Sequence, residues 1–351
     1  MRKYRRKFRD HDFLRTTEGF LFCVVGPFHP PNRVISYVKY IPTKRGKWGR
    51  GKRRFRRAMP AYTISDLLET FGRLERRYPH YLFYSPFYNI LMTAVPIEYI
   101  SRHYKPEERL TRIFQVSRLD SLQKKLKRFV SLLSEKSGVS PESFGVTGSI
   151  LLHIHQPFSD LDVTVYGLRS SLKVKRALTD AYSSWKSPFQ RFEDKALKAW
   201  CTSKVKSFSL TFDEALQIYQ RRWNIGVFND TRFSVHPVKL EEELTEKYAD
   251  KAYEPIGSVI LGAVVDDDVD SLFLPSVYRV AETKVIKGPR VADIREVISY
   301  EGLYSDIAKI GETILVKGKL EEVHDTKTKR RYHRVLVGSP EGRGKEYIKL
   351  I

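Results

Sequence analysis

The chain has 351 residues, a formal net charge of +22, 41% hydrophobic and 13% aromatic residues, and two cysteines. Its length predicts two or three domains with real cores, and its charge predicts a polyanionic partner, nucleic acid foremost, because neutralised phosphates release counterions. No apolar run is long enough to span a bilayer, the start MRKYRRKFRDHDF has no signal-peptide apolar region, and Cys23 and Cys201 form no disulfide framework or metal motif, so a cytoplasmic protein without membrane contact is expected.

The first section, residues 1–115, reads as a basic α+β region. Strand-like runs at Phe20–Val25 and Arg33–Ile41, joined by the turn-like PFHPPN, predict a hairpin. A basic loop follows, KRGKWGRGKRRFRR from Lys44 to Arg57, with Trp48 and Phe55 set among cations and glycines. A solvated loop is one reading. Phosphate contact by Lys52, Arg53, Arg54, Arg56 and Arg57, with the aromatics stacking on bases, is the preferred one. The aromatic segment from Tyr62 to Tyr104 tends to helix, and its rings are expected to fill a core.

In the second section, residues 116–250, Asp120 or Ser121 caps a helix carrying Leu122, Leu126, Phe129, Val130 and Leu133, with Gly138 just past its end. A short strand, Ser143–Val146, leads into Gly148-Ser149, a turn or short helix at Ile150–His155, and an apolar strand at Asp160–Tyr166. Helices near Ser171–Ser183 and Thr211–Trp223 and a strand at Arg232–Val238 complete it. The third section, residues 251–351, is β-rich: SVILGAVV, SLFLPSVYRV, ETILVKGKLEEV and YHRVLVG. Its IGETILVKGKL run resembles the central strands of a small oligonucleotide-binding (OB) barrel.

The chemistry concentrates at Asp160-Leu161-Asp162. Residues two apart on a strand share a face, so two carboxylates lie side by side and cost stability without a compensating cation. Gly148-Ser149, a ten-residue gap and an apolar strand opening with D-x-D resemble the signature of the polymerase-β-type nucleotidyltransferase superfamily, over about residues 117–238. With FLFCVVG and FLPSVYRV, the whole chain is also similar to an archaeal group of predicted nucleotidyltransferases, and its composition suggests a heat-adapted source. The resemblance implies an α+β multidomain protein with a central nucleotidyltransferase-type α/β domain and mixed sheet. It also implies a transferase moving a nucleotide from a nucleoside triphosphate to a nucleic acid, RNA by preference. Asp160 and Asp162 would hold Mg²⁺ or Mn²⁺, and Gly148 and Ser149 would hold the triphosphate.

Members of the superfamily usually place a third carboxylate on a neighbouring strand, and RFSVHPV has none. Asp230 reaching in from the turn NDT, or His236 substituting, are the two replacements in view. Without either, the chain would be an RNA-binding or ribonucleoprotein-associated descendant with weakened catalysis. His153 and His155 are candidates for phosphate contact or for packing. Arg221 and Arg222 are candidates for triphosphate binding, against a reading as helix C-terminal cations beside Trp223.

Overall fold

A computed structural model describes residues 6–61 and 63–351 as an α+β chain whose three sheets fall one after another along the sequence. Among the described residues, no helix is long and apolar enough to cross a membrane.

The first sheet has eight strands between Phe13 and Tyr104. Leu21–Val24 and Arg33–Pro42 pair antiparallel, as the β-rich runs require. The basic stretch is not a loop. It folds into a hairpin of Trp48–Arg50 and Arg53–Arg57 that extends the same sheet by pairing with Arg33–Pro42. Its apolar pair explains this: Trp48 lies opposite Phe55, and Phe55 is 3% exposed, so the aromatics anchor the strands while the arginines line the outside. Gly49 has a φ of +87°, and a Cβ there would stand 2.1 Å from the Arg53 carbonyl oxygen.

The helix-tending reading of the aromatic segment holds for Ile64–Arg77 alone. Leu82–Ser85, Ile90–Pro96 and Ile100–Tyr104 are strands, because their β-branched and aromatic residues pack on a sheet and carry no 3.6 period. Phe71, Tyr81 and Tyr104 are buried as core, Tyr84 is exposed, and Tyr62 lies outside the described residues.

The second sheet has five strands in the spatial order Phe189–Gln190, Ile225–Phe228, Thr231–Val238, Leu161–Tyr166, Phe144–Val146. All pairings are antiparallel except Leu161–Tyr166 with Thr231–Val238, which run parallel. The helix Ser121–Ser137 begins at Asp120, which forms a capping box with Gln123, and ends at Gly138 with a φ of +63°. Such a cap is worth about 1 kcal/mol. Leu126, Phe129, Val130 and Leu133 then pack into one core with Val174 and Leu178 of the helix Leu168–Tyr182. Leu161, Val163 and Val165 enter this core as well. The period of two therefore turns Asp162 and Thr164 to the opposite face of the sheet. A helix at Asp194–Ser207 and the strand Ile225–Phe228 were not legible as such in the sequence.

The third sheet closes on itself. Lys251–Asp267 pairs with Ser276–Lys287, which pairs with Ile294–Ser299; that strand runs parallel to Arg331–Val337, which pairs with Thr313–Asp325, and this returns to Lys251–Asp267. Tyr347–Leu350 adds to Thr313–Asp325 outside the ring. The sections interlock: Leu272 and Phe273 enter the core of the second, and the Trp223 indole N–H donates to Asp306 at 2.7 Å.

Candidate functional site

The D-x-D strand and its parallel neighbour build the site from their shared face. Asp162 lies level with Ser234, and Asp160, just before the strand, feels the charge of Arg232. Ser234 Oγ donates to Asp162 Oδ1 at 2.7 Å and lies 2.8 Å from His236 Nε2. With the serine proton given to Asp162 Oδ1, the hydroxyl oxygen accepts from His236, which must supply its Nε2 proton. Burial, then the charges of His11, Lys39 and Arg222, hold the His236 pKa well below the usual imidazole value, so the ring is neutral.

Gly148 meets the other side of Asp162. It has a φ of +64°, and a Cβ there would stand 2.4 Å from Asp162 Oδ2. The N–H of Thr147 donates to the Asp162 carbonyl at 2.9 Å, so the short Gly148–Leu151 helix starts directly against the strand. Ser149 beside it is buried. Only glycine satisfies both the left-handed backbone and the close approach.

Asp160 reaches solvent just before the strand, yet its carboxyl sits among enough protein for burial to dominate its titration. Burial, and then Asp162, push its pKa up to about 6 against the opposing charges of Arg232 and Arg57. Asp160 thus has too little positive charge around it to ionise at the ordinary carboxylate pH. Asp162, Ser234 and His236 also open on a cavity of about 530 Å³ bounded by all three sections, with Lys39, Lys204 and Arg222 among its walls.

Among curated proteins, the chain is 32% identical over 347 residues to the uncharacterized protein MJ1086 of Methanocaldococcus jannaschii, covering 98% of this chain and 99% of that one. The chain belongs to that protein's family. No family model matches it, and no solved structure does.

The remaining sequence candidates divide in this family member. Asp230 occupies the tip of the Ile225–Val238 hairpin with a φ of +64°, four residues before Ser234 and so about 13 Å along the strand. It does not reach Asp162. His236 meets Asp162 only through Ser234, because its Nε2 is committed to that hydroxyl. The position beside Asp162 on the neighbouring strand is therefore filled by a hydroxyl, and the third carboxylate is absent there.

Arg221 turns away to pair with Glu312 at 2.9 Å. Arg222 lines the cavity: its Nη1 donates to the carbonyls of Gly302 and Leu303, its Nε is buried without a partner, and burial lowers its pKa to about 10. His155 is structural, since its Nε2 lies 2.8 Å from Asp120, the helix cap. His153 is exposed. Of the hairpin cations, Lys52, Arg53, Arg54, Arg56 and Arg57 are all exposed, and Arg57 acts on Asp160.

Sequence reasoning missed Asp10 and His11. Asp10 Oδ2 lies 2.6 Å from His11 Nδ1, and the His11 ring lies 4.1 Å from that of His236, so the first section supplies a second histidine to the site. The signal was D-H-D opening the first strand, hidden inside a basic terminus. Asp12 of the same triplet is structural, bound to Arg6 and His103.

Proposed function

We propose that the chain is a divalent-metal-dependent nucleotidyltransferase that moves a nucleotide from a nucleoside triphosphate to the hydroxyl of a nucleic acid, RNA by preference. The observation that carries the reading is the contact of Gly148 with Asp162, beside a second carboxylate whose charge is poorly compensated. The donor set fits a hard cation: Asp162 on the strand, steadied by a hydroxyl, and Asp160 just before it, near enough for the charge of Asp162 to raise its pKa. Bound there by Asp160 and Asp162, Mg²⁺ or Mn²⁺ would supply charge neutralisation for triphosphate oxygens and activation of the attacking hydroxyl.

The protein's own residues do the rest. Ser234 and His236 orient Asp162 through a chain of two hydrogen bonds and hold a fixed proton arrangement while the imidazole stays neutral. Gly148 keeps the backbone close enough for phosphate to approach the carboxylates. Arg222 and Lys204 place cationic groups on the cavity wall, and burial with the Arg222 charge lowers Lys204 to about 8. The closed ring of the third section supports an OB-type barrel. Five strands in the order first, second, third, fifth, fourth, with the third parallel to the fifth, suit a polymer-gripping module.

One observation favours a second reading. Ser234 stands where a third carboxylate would complete the metal site, which suits a nucleic-acid-binding descendant with weakened catalysis. Melting of the protein with ATP, GTP, CTP or UTP, each with and without Mg²⁺, separates the two. Stabilisation that needs both nucleotide and metal supports the transferase. RNA binding with no response to either supports the descendant.

A further inference from the structure

The basic hairpin docks rather than floats. The Gly49 N–H donates to the Ile154 carbonyl at 2.8 Å, and Gln156 Nε2 donates to the Gly49 carbonyl at 2.8 Å. Phe55 packs in one cluster with Leu151, Leu152 and Ile154, the segment between Gly148-Ser149 and the D-x-D. The hairpin is thereby held against this segment at Gly49, opposite Arg54, and at Phe55 in the middle of the Arg53–Arg57 strand, whose ends lie about 13 Å apart.

At one end, Arg53 Nη2 donates to the Tyr104 hydroxyl at 3.0 Å, and the Arg102 guanidinium lies 4.7 Å over the Tyr104 ring. Arg109, tied by Nε to the Ile150 carbonyl at 3.3 Å, joins them. No carboxylate among the described residues forms an ion pair with Arg53, Arg102 or Arg109. At the other end, Arg57 lies 4.8 Å over the Trp48 ring, Trp48 meets Phe158 edge-on at 6.3 Å, and Phe158 is 64% exposed two residues before Asp160.

We infer that this strip seats the single-stranded end of a nucleic acid, its backbone phosphates on Arg53, Arg102 and Arg109 and its terminal base on Phe158, which brings that end to Asp160. Guanidinium forks fixed by an aromatic ring and a carbonyl suit phosphate oxygens. An exposed ring beside them suits a base face. The binding half stands independently; the delivery of the end to Asp160 rests on the transferase reading.

The test is fluorescence anisotropy with a single-stranded RNA of about twelve nucleotides, within the site sizes of single-strand binders, in EDTA and without nucleotide. Arg53→Ala with Arg102→Ala should weaken binding at least about tenfold and reduce the log–log salt slope by about 1.4, since each lost phosphate contact on a single strand removes about 0.7. Phe158→Ala should weaken binding about five- to hundredfold with the salt slope unchanged. Lys173→Ala with Lys198→Ala, two exposed lysines outside the strip, should leave binding unchanged. A 4-thiouridine at the hydroxyl-bearing end should crosslink to the peptide containing Phe158. Affinity within about twofold of wild type in both strip variants, equal loss in the lysine variant, or crosslinks confined to the third section would each overturn the inference. Because no transfer is measured, an inactive enzyme that still binds along the strip would defeat only the transferase reading.

Discussion

Asp160→Asn asks directly whether the carboxylate pair is a cation site or a structural turn. Its folded pKa of about 6 lies above the ordinary 3.8, so the folded protein holds this proton more tightly than the unfolded chain. The associated stability is fully present below pH 3.8 and is lost as pH rises through about 6. Two pKa units correspond to about 3 kcal/mol if the group were fully shielded. The side chain reaches solvent, and screening of the kind that weakens surface ion pairs reduces this to about 1 kcal/mol. Without metal, Asp160→Asn should therefore melt about 2 °C above wild type at pH 8 and level with it at pH 4. Metal binds the folded site and not the unfolded chain, so millimolar Mg²⁺ or Mn²⁺ should raise the wild-type transition and leave the variant nearly unmoved. Calorimetry across that pH range, with EDTA or metal, reads both effects. A variant less stable than wild type at pH 8, with the same metal response, would refute the argument and make Asp160 a turn residue.

Gly148→Ala places a Cβ 2.4 Å from Asp162 Oδ2 at a φ of +64°; it should cost at least about 1 kcal/mol in denaturant melts and abolish the metal-induced shift. Ser234→Asp puts an acid level with Asp162 and should tighten Mn²⁺ binding, measured by titration calorimetry, while lowering metal-free stability at pH 8. Glu301 is buried, with Oε1 unpartnered, and burial and then Glu346 push its pKa up to about 7. Its contribution is lost as pH rises through about 7, so Glu301→Gln should gain up to about 3 kcal/mol at pH 8.5 and little at pH 5 in denaturant melts.

The helix capped by Asp120, the D-x-D strand and the Thr231–Val238 strand were legible because local signals carried them: a capping box, a period of two, and turn residues at both ends. The Trp48–Arg57 hairpin was not. Charge dominates its composition, and its strand character comes from one aromatic pair that finds its core only in the folded protein. The site divides the same way. Asp160, Asp162 and Gly148 lie close in sequence and could be read together. Asp10 and His11 join His236 across more than two hundred residues, and no local pattern announces a contact made by tertiary packing. Arg221 and Arg222 are adjacent, yet one pairs with Glu312 while the other lines the cavity, a split that depends on how the chain leaves its helix.

The central claim is most directly tested by incubating the purified protein with each α-labelled nucleoside triphosphate, Mg²⁺ or Mn²⁺, and tRNA or single-stranded RNA, and following label into the polymer. Metal-dependent incorporation by wild type is expected, with its loss in the Asp160→Ala, Asp162→Ala double variant. Incorporation at full rate in that double variant would contradict the claim.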